Sequence, residues 1–584
     1  MEVRIMMNLI LQYSLYLVIL IIFAVPLGTY IGKVMNGEKV FLTRVVEPVE
    51  NLIYKILCID KTEEMNWKSY LWSVLFFNGF GFLVLFFMHM CQNLLPLNPQ
   101  NMDGTSWHLA FNNAISFVTN TNWQAYSGES TLSYFTQMFG LTVQNFVSAA
   151  TGIAVLFVLI RAFIKVKESG LGNFWVDITR IVLYVLIPLS MIVSIALVSQ
   201  GVVQNFAPYE IVNLVEPVAL ENGSQVTEQI VPMGPGASQI AIKQLGTNGG
   251  GYFGTNSAYP LENPTALSNL IEVLSILLIP AALCFTFGKN IGDKRQGKAI
   301  FSAMFILLIL ALVGIAVNEQ IATPQLAQNG AVNIGMENQA GGNMEGKEAR
   351  FGIIGSSTWA AFTTAASNGS VNSMHDSYTP LGGMITMVLM QLGEVVFGGV
   401  GCGLYGMISF VILTVFIAGL MVGRTPEYLG KKIEPREMKL SVIVCLATPV
   451  AILIGSGIAV VVPSVLDSLN NTGTHGLSEI VYAYSSVGGN NGSAFAGFSA
   501  NTVFLNVSLG ICMLFARFVP IIAIVAMAGS LVEKKRLAVT PGTLSTCNTT
   551  FVFMLILIVL LVGALSFFPA LSLGPIAEYC QMIH

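Results

Sequence analysis

The chain has 584 residues and a net charge of −4, with only 10% charged residues where an ordinary soluble domain carries about 25%. At 54% hydrophobic and a mean hydropathy of +0.71 it lacks the polar side chains to clothe a water-facing surface of its size, which excludes a soluble globular protein. The acidic balance offers no basic stripe for nucleic acid, and the eight cysteines lie far apart without metal-ligand spacing, so they read as core or lipid-facing small residues.

In chain order, apolar runs of spanning length occur at 9–31, 70–90, 143–164, 179–199, 268–288, 299–318, 382–422, 440–462, 500–532 and 549–570. The first is long for a signal-peptide core and no small-x-small cleavage site follows it, so it is expected to be retained as a helix. Threading ten spans from an extracellular N-terminus puts 33–68, 161–180, 289–298, 424–439 and 533–536 in the cytoplasm. These segments hold 22 of the 27 Lys and Arg residues. By the positive-inside rule both termini are then extracellular. The expected class is an all-α integral membrane protein, in contact with the bilayer and not with nucleic acid.

Four polar segments interrupt the outer loops: Thr119-Asn120-Thr121-Asn122-Trp123-Gln124, Thr247-Asn248-Gly249-Gly250-Gly251, Ser367-Asn368-Gly369-Ser370 and Asn490-Asn491-Gly492-Ser493. Each follows a short helix-like stretch, at 105–118, 235–246, 356–366 and 474–486, and each fits a frame of small polar residue, Asn, Gly, with Thr121 in the glycine place of the first. Taking Thr121, Gly249, Gly369 and Gly492 as equivalent, the separations are 128, 120 and 123 residues, the mark of one unit used four times. The units are expected at 69–166, 177–290, 298–424 and 439–534, with extra helices at 1–34 and 546–584 outside them.

Irregular backbone at membrane depth is tolerated only where it lines a cavity or is buried in protein. Four such segments can share an axis, and glycine lets their carbonyl oxygens turn inward as a ring that replaces the hydration shell of a cation. The short helices would aim their negative C-terminal ends at the same centre. No Asp or Glu occurs in the four segments, which favours neutral coordination of a large monovalent ion, potassium, over a carboxylate site of the calcium type.

The segments VTNTNWQ, LGTNGGGYFGTN, SNGSVNSMHDS and NNGSAFAGFSANT, with LTVQNFVSAATGIAV, resemble the potassium-binding A subunits of bacterial Kdp potassium-importing ATPases over about residues 8 to 570. The resemblance implies a channel-like fold of the potassium transporter superfamily, with four membrane-pore-membrane repeats around a selectivity filter. It implies a non-catalytic subunit of the bacterial cell membrane that binds extracellular potassium and passes it through an intramembrane tunnel. The receiving partner would be a P-type ATPase subunit, which alone uses ATP and Mg2+, and small single-span subunits would complete the complex. By motif match the filter positions are Asn120, Thr121, Asn122 and Gln124, then Thr247, Asn248 and Gly249, then Ser367, Asn368 and Gly369, then Asn490, Asn491 and Gly492. The alternative is a channel or ion-coupled potassium transporter of the same superfamily acting without a pump partner.

The runs 382–422 and 500–532 are too long for single straight spans of about 20 residues, and both are expected to be interrupted, the first at Gly393 to Gly406 and the second near Pro520. Glu394 lies 25 residues after Gly369 and Arg517 lies 25 after Gly492. Equivalent offsets put this acid and this base at one depth, where intramembrane charge is costly unless paired or facing water. They are expected to pair on the central pathway, Arg517 acting as a barrier to straight passage of a cation. Gly341 to Lys347 approaches a nucleotide-binding loop but has Glu348 where Ser or Thr belongs, and Asp60-Lys61-Thr62 only begins a phosphorylation motif, so neither supports ATP hydrolysis. His375 and Asp376 are expected to hydrogen-bond loop backbone near the outer vestibule.

Overall fold

A computed structural model describes residues 2–220, 223–321, 341–421, 423–538 and 544–583. Met1 and His584, the outermost residues of the first and last sequence units, lie outside the described residues. The chain is an all-α membrane protein, and among the described residues ten helices are long and apolar enough to cross a bilayer. They run Ile10–Met35, Trp67–Met90, Thr136–Ile164, Phe174–Ser199, Ala266–Asn290, Lys294–Gln320, Cys402–Met421, Pro435–Ala459, Val503–Val532 and Thr549–Ile583. Several start on a side-chain cap that satisfies the first free N–H groups. Asn66 accepts from Lys68 and Ser69, Asn548 accepts from Phe551, and Thr265 forms a reciprocal box with Ser268.

The two over-long runs behave differently. The seventh divides into Pro380–Gln391 and Cys402–Met421, joined by a loop in which Gly393, Glu394, Phe397, Gly398 and Gly401 all have positive φ. The expected break in 500–532 does not occur: Val503–Val532 is one continuous helix of 30 residues with Pro520 inside it. A lone proline removes one backbone donor from a helix that is otherwise packed along most of its length, whereas five left-handed residues among the nine from Gly393 to Gly401 cannot be helical. The excess length is absorbed because 30 residues rise about 45 Å, beyond the hydrocarbon core.

Four shorter helices, Trp107–Val118, Gly236–Leu245, Gly352–Ala365 and Gly473–Gly488, have 10 to 16 residues, too few to cross. All four are buried nearly throughout, and each ends at one of the polar segments. The most enclosed spans, Thr136–Ile164, Ala266–Asn290 and Cys402–Met421, form the centre of the main core. Two strands, β1 (Glu210–Ala219) and β2 (Gln225–Val231), form an antiparallel ribbon between the fourth span and the second short helix.

Lipid gives no hydrophobic drive to helix association, so close approach rests on small residues. Gly28 of the first span lies against the carbonyl of Ala282, and Gly297 lies against Gly288 and the carbonyl of Cys284. A side chain at Gly28 has no room short of moving a whole helix. Gly28→Leu is therefore expected to destabilise the detergent-solubilised protein by about 1 to 3 kcal/mol, read as a lower apparent melting temperature by fluorescence-detected size exclusion.

Candidate functional site

Each short helix hands over to its polar segment by the same backbone device. The N–H groups of Thr121, Asn248, Asn368 and Asn491 turn back onto the carbonyl five residues earlier, that of Ser116, Lys243, Thr363 and Ser486 respectively. Asn122 and Gly249 add a second N–H to the same carbonyl. Left-handed backbone makes this possible. Positive φ occurs at Asn120, Thr247, Ser367 and Asn490, and again two residues on at Asn122, Gly249, Gly369 and Gly492. Such turns gather consecutive N–H groups on one side, which here cap the helix, and leave the carbonyls to the other.

These conformations correct the register of the first segment. The residue equivalent to Gly249, Gly369 and Gly492 is Asn122, not Thr121, and the separations become 127, 120 and 123. A β-branched threonine is poorly suited to φ near +53°, whereas asparagine tolerates it.

The four segments close into a ring. A side chain on Gly249 would run into the carbonyl of Asn368, one on Gly369 into that of Asn491, and one on Gly492 into that of Thr121. The fourth seam is made by side chains of segment one on segment two. Asn122 Nδ2 donates to Gly249 O at 3.0 Å, Asn120 Nδ2 to Thr247 O at 3.0 Å and Gln124 Nε2 to Gly251 O at 3.1 Å. Gln124 Oε1 accepts from Gly251 N at 2.7 Å, so this amide clamps the two segments at the outer end. Further ties run from Asn368 Nδ2 to Lys243 O and from Asn491 Nδ2 to Thr363 O. All of the sequence-selected positions in the four segments are thus brought together, and all but Gln124 are buried.

Four equivalent carbonyls stand out. Thr121, Asn248, Asn368 and Asn491 are wholly buried, and among the described residues no donor reaches the backbone oxygen of any of them. Above the ring lies a cavity of about 530 Å³ lined by Asn122, Gln124, Gly250, Gly369 and Gly492, so that every segment contributes to its floor.

Below the ring lies the loop 392–401. Its Val400 N–H donates to Thr247 Oγ1 at 2.9 Å and its Gly398 N–H to Ala365 O at 3.0 Å, so it is fastened to the underside of segments two and three. Glu394 and the buried Arg517 approach to 3.6 Å, and Arg517 also lies beside Gly152 across from Cys402. The acid and base selected from the sequence therefore meet, as an ion pair beneath the ring.

Several supporting residues carried no sequence signal of their own. Ser148 and Asn145 bind Asn120, Asn122 and Asn248 from the third span. Lys243 is a buried ion-pair partner of Glu262 and donates to Gly250 O at 3.0 Å; Ser257 and Gln244 link this group to Glu272 and Ser370. The register of the repeats would have found Lys243, since Ser116, Thr363 and Ser486 occupy its place elsewhere and use a hydroxyl where it uses an ammonium. Trp359 Nε1 likewise donates to Ser370 O at 2.8 Å, holding segment three.

His375 and Asp376 do not bind loop backbone as expected. His375 Nδ1 meets Tyr482 Oη at 2.7 Å, and Asp376 meets His475 Nε2 at 2.8 Å, because the fourth short helix passes directly against this turn and supplies side-chain partners. Burial, with Lys347 nearby, pushes His375 down to about 3 and keeps it neutral.

Comparison with known proteins decides the family. The model of the Potassium-transporting ATPase A subunit family matches residues 14–580. The chain belongs to that family. As a member it is a non-catalytic subunit of a potassium-transporting ATPase, ATP hydrolysis lying in another subunit. It is 71% identical to the potassium-transporting ATPase potassium-binding subunit of Clostridium botulinum (strain Eklund 17B / Type B), over 99% of this chain and 100% of that one. The corresponding subunit of Clostridium perfringens is 70% identical with the same coverage, and that of Listeria welshimeri 57% identical over 98% and 99%. Among solved structures the potassium transporter TrkH of Vibrio parahaemolyticus shares the fold, with a TM-score of 0.51 at 15% identity over 79% of this chain and 84% of that one.

His475 also holds the end of the chain, its Nδ1 lying 2.8 Å from Glu578. Burial alone would lower this imidazole, but the hydrogen bonds to Asp376 and Glu578 outweigh it and raise it to about 10. A histidine raised on folding stabilises fully below its unfolded value, about 6.5, and that contribution disappears as pH climbs through the folded value. Thermal stability of the wild type is expected to fall between about pH 8 and 10 more than that of His475→Gln, measured side by side in one detergent buffer series.

Proposed function

We propose that this chain selects extracellular potassium in the ring of polar segments and delivers it, through a path within the membrane, to the P-type ATPase subunit of an importing pump. The observation that carries this is the set of four buried backbone oxygens without donors. A buried carbonyl left unpaired costs roughly 1 to 3 kcal/mol, and a cation held by all four would repay that cost. Neutral oxygens without a carboxylate suit a weakly hydrated monovalent ion, and potassium is the ion in the printed names of the relatives. Asn120, Thr121, Asn122 and Gln124, Thr247, Asn248 and Gly249, Ser367, Asn368 and Gly369, and Asn490, Asn491 and Gly492 form this filter, with the cavity above as the outer vestibule.

The loop 392–401 closes the straight way down, and the Arg517 guanidinium beneath it repels a cation that passes the ring, turning it aside toward the partner subunit. Glu394 holds Arg517 in place. The companion subunits are the ATPase and small single-span proteins; ATP and Mg2+ act only there. The pump works in the bacterial plasma membrane with both termini of this chain outside. A channel or ion-coupled transporter working alone is the competing reading, and the family assignment favours the pump.

Two experiments test this. In the purified complex Gln124→Arg is expected to raise the potassium concentration for half-maximal ATPase by about tenfold or more while the complex still assembles, since a cation is placed at the vestibule floor. An unchanged response removes Gln124 from the site, and an ATPase that ignores potassium altogether favours the lone-transporter reading. In proteoliposomes without ATP, Arg517→Ala is expected to raise passive potassium leak by about tenfold; leak at the wild-type level with transport intact rejects the barrier.

A further inference from the structure

The ribbon of β1 and β2 takes no part in the ring, yet it is rooted beside it. Tyr209 Oη donates to Glu129 O at 2.9 Å and Tyr134 Oη to Ala207 O at 2.7 Å, while the Glu129 carboxylate accepts from Gly254 N at 2.7 Å. Gly254 lines the outer vestibule. Beyond this root the arm stands free: Val215 is fully exposed, and Ile211, Val218 and Ile230 are more than half exposed.

A two-stranded ribbon standing alone in water is at best marginally stable, and natural proteins blunt a free strand edge with proline, lysine or a bulge. The two edges here are treated differently. β1 contains Pro217, and its pairing slips between Asn213 and Val218, which breaks its outer edge. β2 contains no proline and no cation, keeps a regular register from Glu228 to Val231, and among the described residues pairs only with β1. On one face Val226 and Ile230 flank Glu228 and meet Val218 and Ile211 across the ribbon. The stretch 204–242 carries Glu210, Glu216, Glu221 and Glu228 and not one Lys or Arg.

An open, acidic, β-branched edge fixed at the vestibule rim specifies its complement. We infer that β2 takes an added strand from a basic, outward-facing segment of a companion subunit of the pump, with a Lys or Arg set against Glu228. The added strand would satisfy the free backbone of β2, cover Val226 and Ile230, and anchor the companion beside the mouth. This rests on the reading of the chain as a pump subunit facing outward at this surface.

The test uses the whole complex, co-expressed with its companion subunits and purified through this chain. Glu228→Lys reverses the central charge on a surface position, and replacement of 211–230 by a short Gly-Ser linker removes the arm above its root. Both are expected to lower retention of one companion subunit by about tenfold or more in low-salt washes, with half-saturating potassium of the residual intact complexes unchanged. A photo-crosslinker at Gln229 should capture a Lys- or Arg-bearing peptide of that companion. Full retention in both variants overturns the proposal, as do crosslinks confined to a second copy of this chain. Retention is read independently of potassium response, so failure of the transport reading in Gln124→Arg is distinguishable from failure of this one.

Discussion

Four backbone oxygens buried without a donor are the constraint on which the rest of the structure turns. A protein in lipid satisfies its peptide groups with itself, through helix hydrogen bonds, caps such as those at Asn66, Thr265 and Asn548, and loop contacts. At the ring it satisfies every N–H of the middle residues and leaves every C=O. The N–H groups that cap the short helices also consume part of the negative potential at those helix ends. On the proposed reading, the attraction for a cation would reside chiefly in the four free carbonyls rather than in helix dipoles aimed from a distance.

Holding that arrangement requires strain and a tight seam. Thr247 and Ser367 adopt left-handed backbone at a cost of order 1 to 3 kcal/mol each, and Asn120 and Asn490 share it at lower cost because asparagine tolerates that region. The returns come from neighbours: Thr247 accepts from Val400, Asn120 reaches two carbonyls of segment two, and Asn490 receives Thr121 Oγ1. Each glycine at the third position faces the carbonyl of the next segment at a separation no side chain fits. The same contact thus fixes both the conformation of one segment and the position of its neighbour's oxygen, and the ring is rigid because its parts hold each other.

The set of spans was legible because ten hydrophobic runs are a one-dimensional signal. The repeat was legible from the Asn-Gly frames. Its register in the first segment was not, since Thr121 and Asn122 are both small polar residues, and only backbone sign separates them. The continuity of Val503–Val532 was hidden for the opposite reason: Pro520 is a strong local signal that tertiary packing overrides. The meeting of Glu394 and Arg517 followed from equal offsets, but the network around Lys243 did not, because a lysine in an outer loop reads as solvated until three repeats show a hydroxyl in its place.

A ring made from one chain need not be symmetric, and this one is asymmetric where it matters. Segment one replaces the glycine with Asn122 and spends three side-chain amides on segment two, so that seam is stitched by side chains while the others are packed backbone to backbone. Below, the seventh span is broken, and the backbone of its loop fastens to segment two and to the short helix before segment three. Four identical subunits would have to break all four spans or none. Covalent linkage of unequal repeats lets the protein place one broken span and one ion pair on one side of a ring whose other face still gathers residues from all four segments.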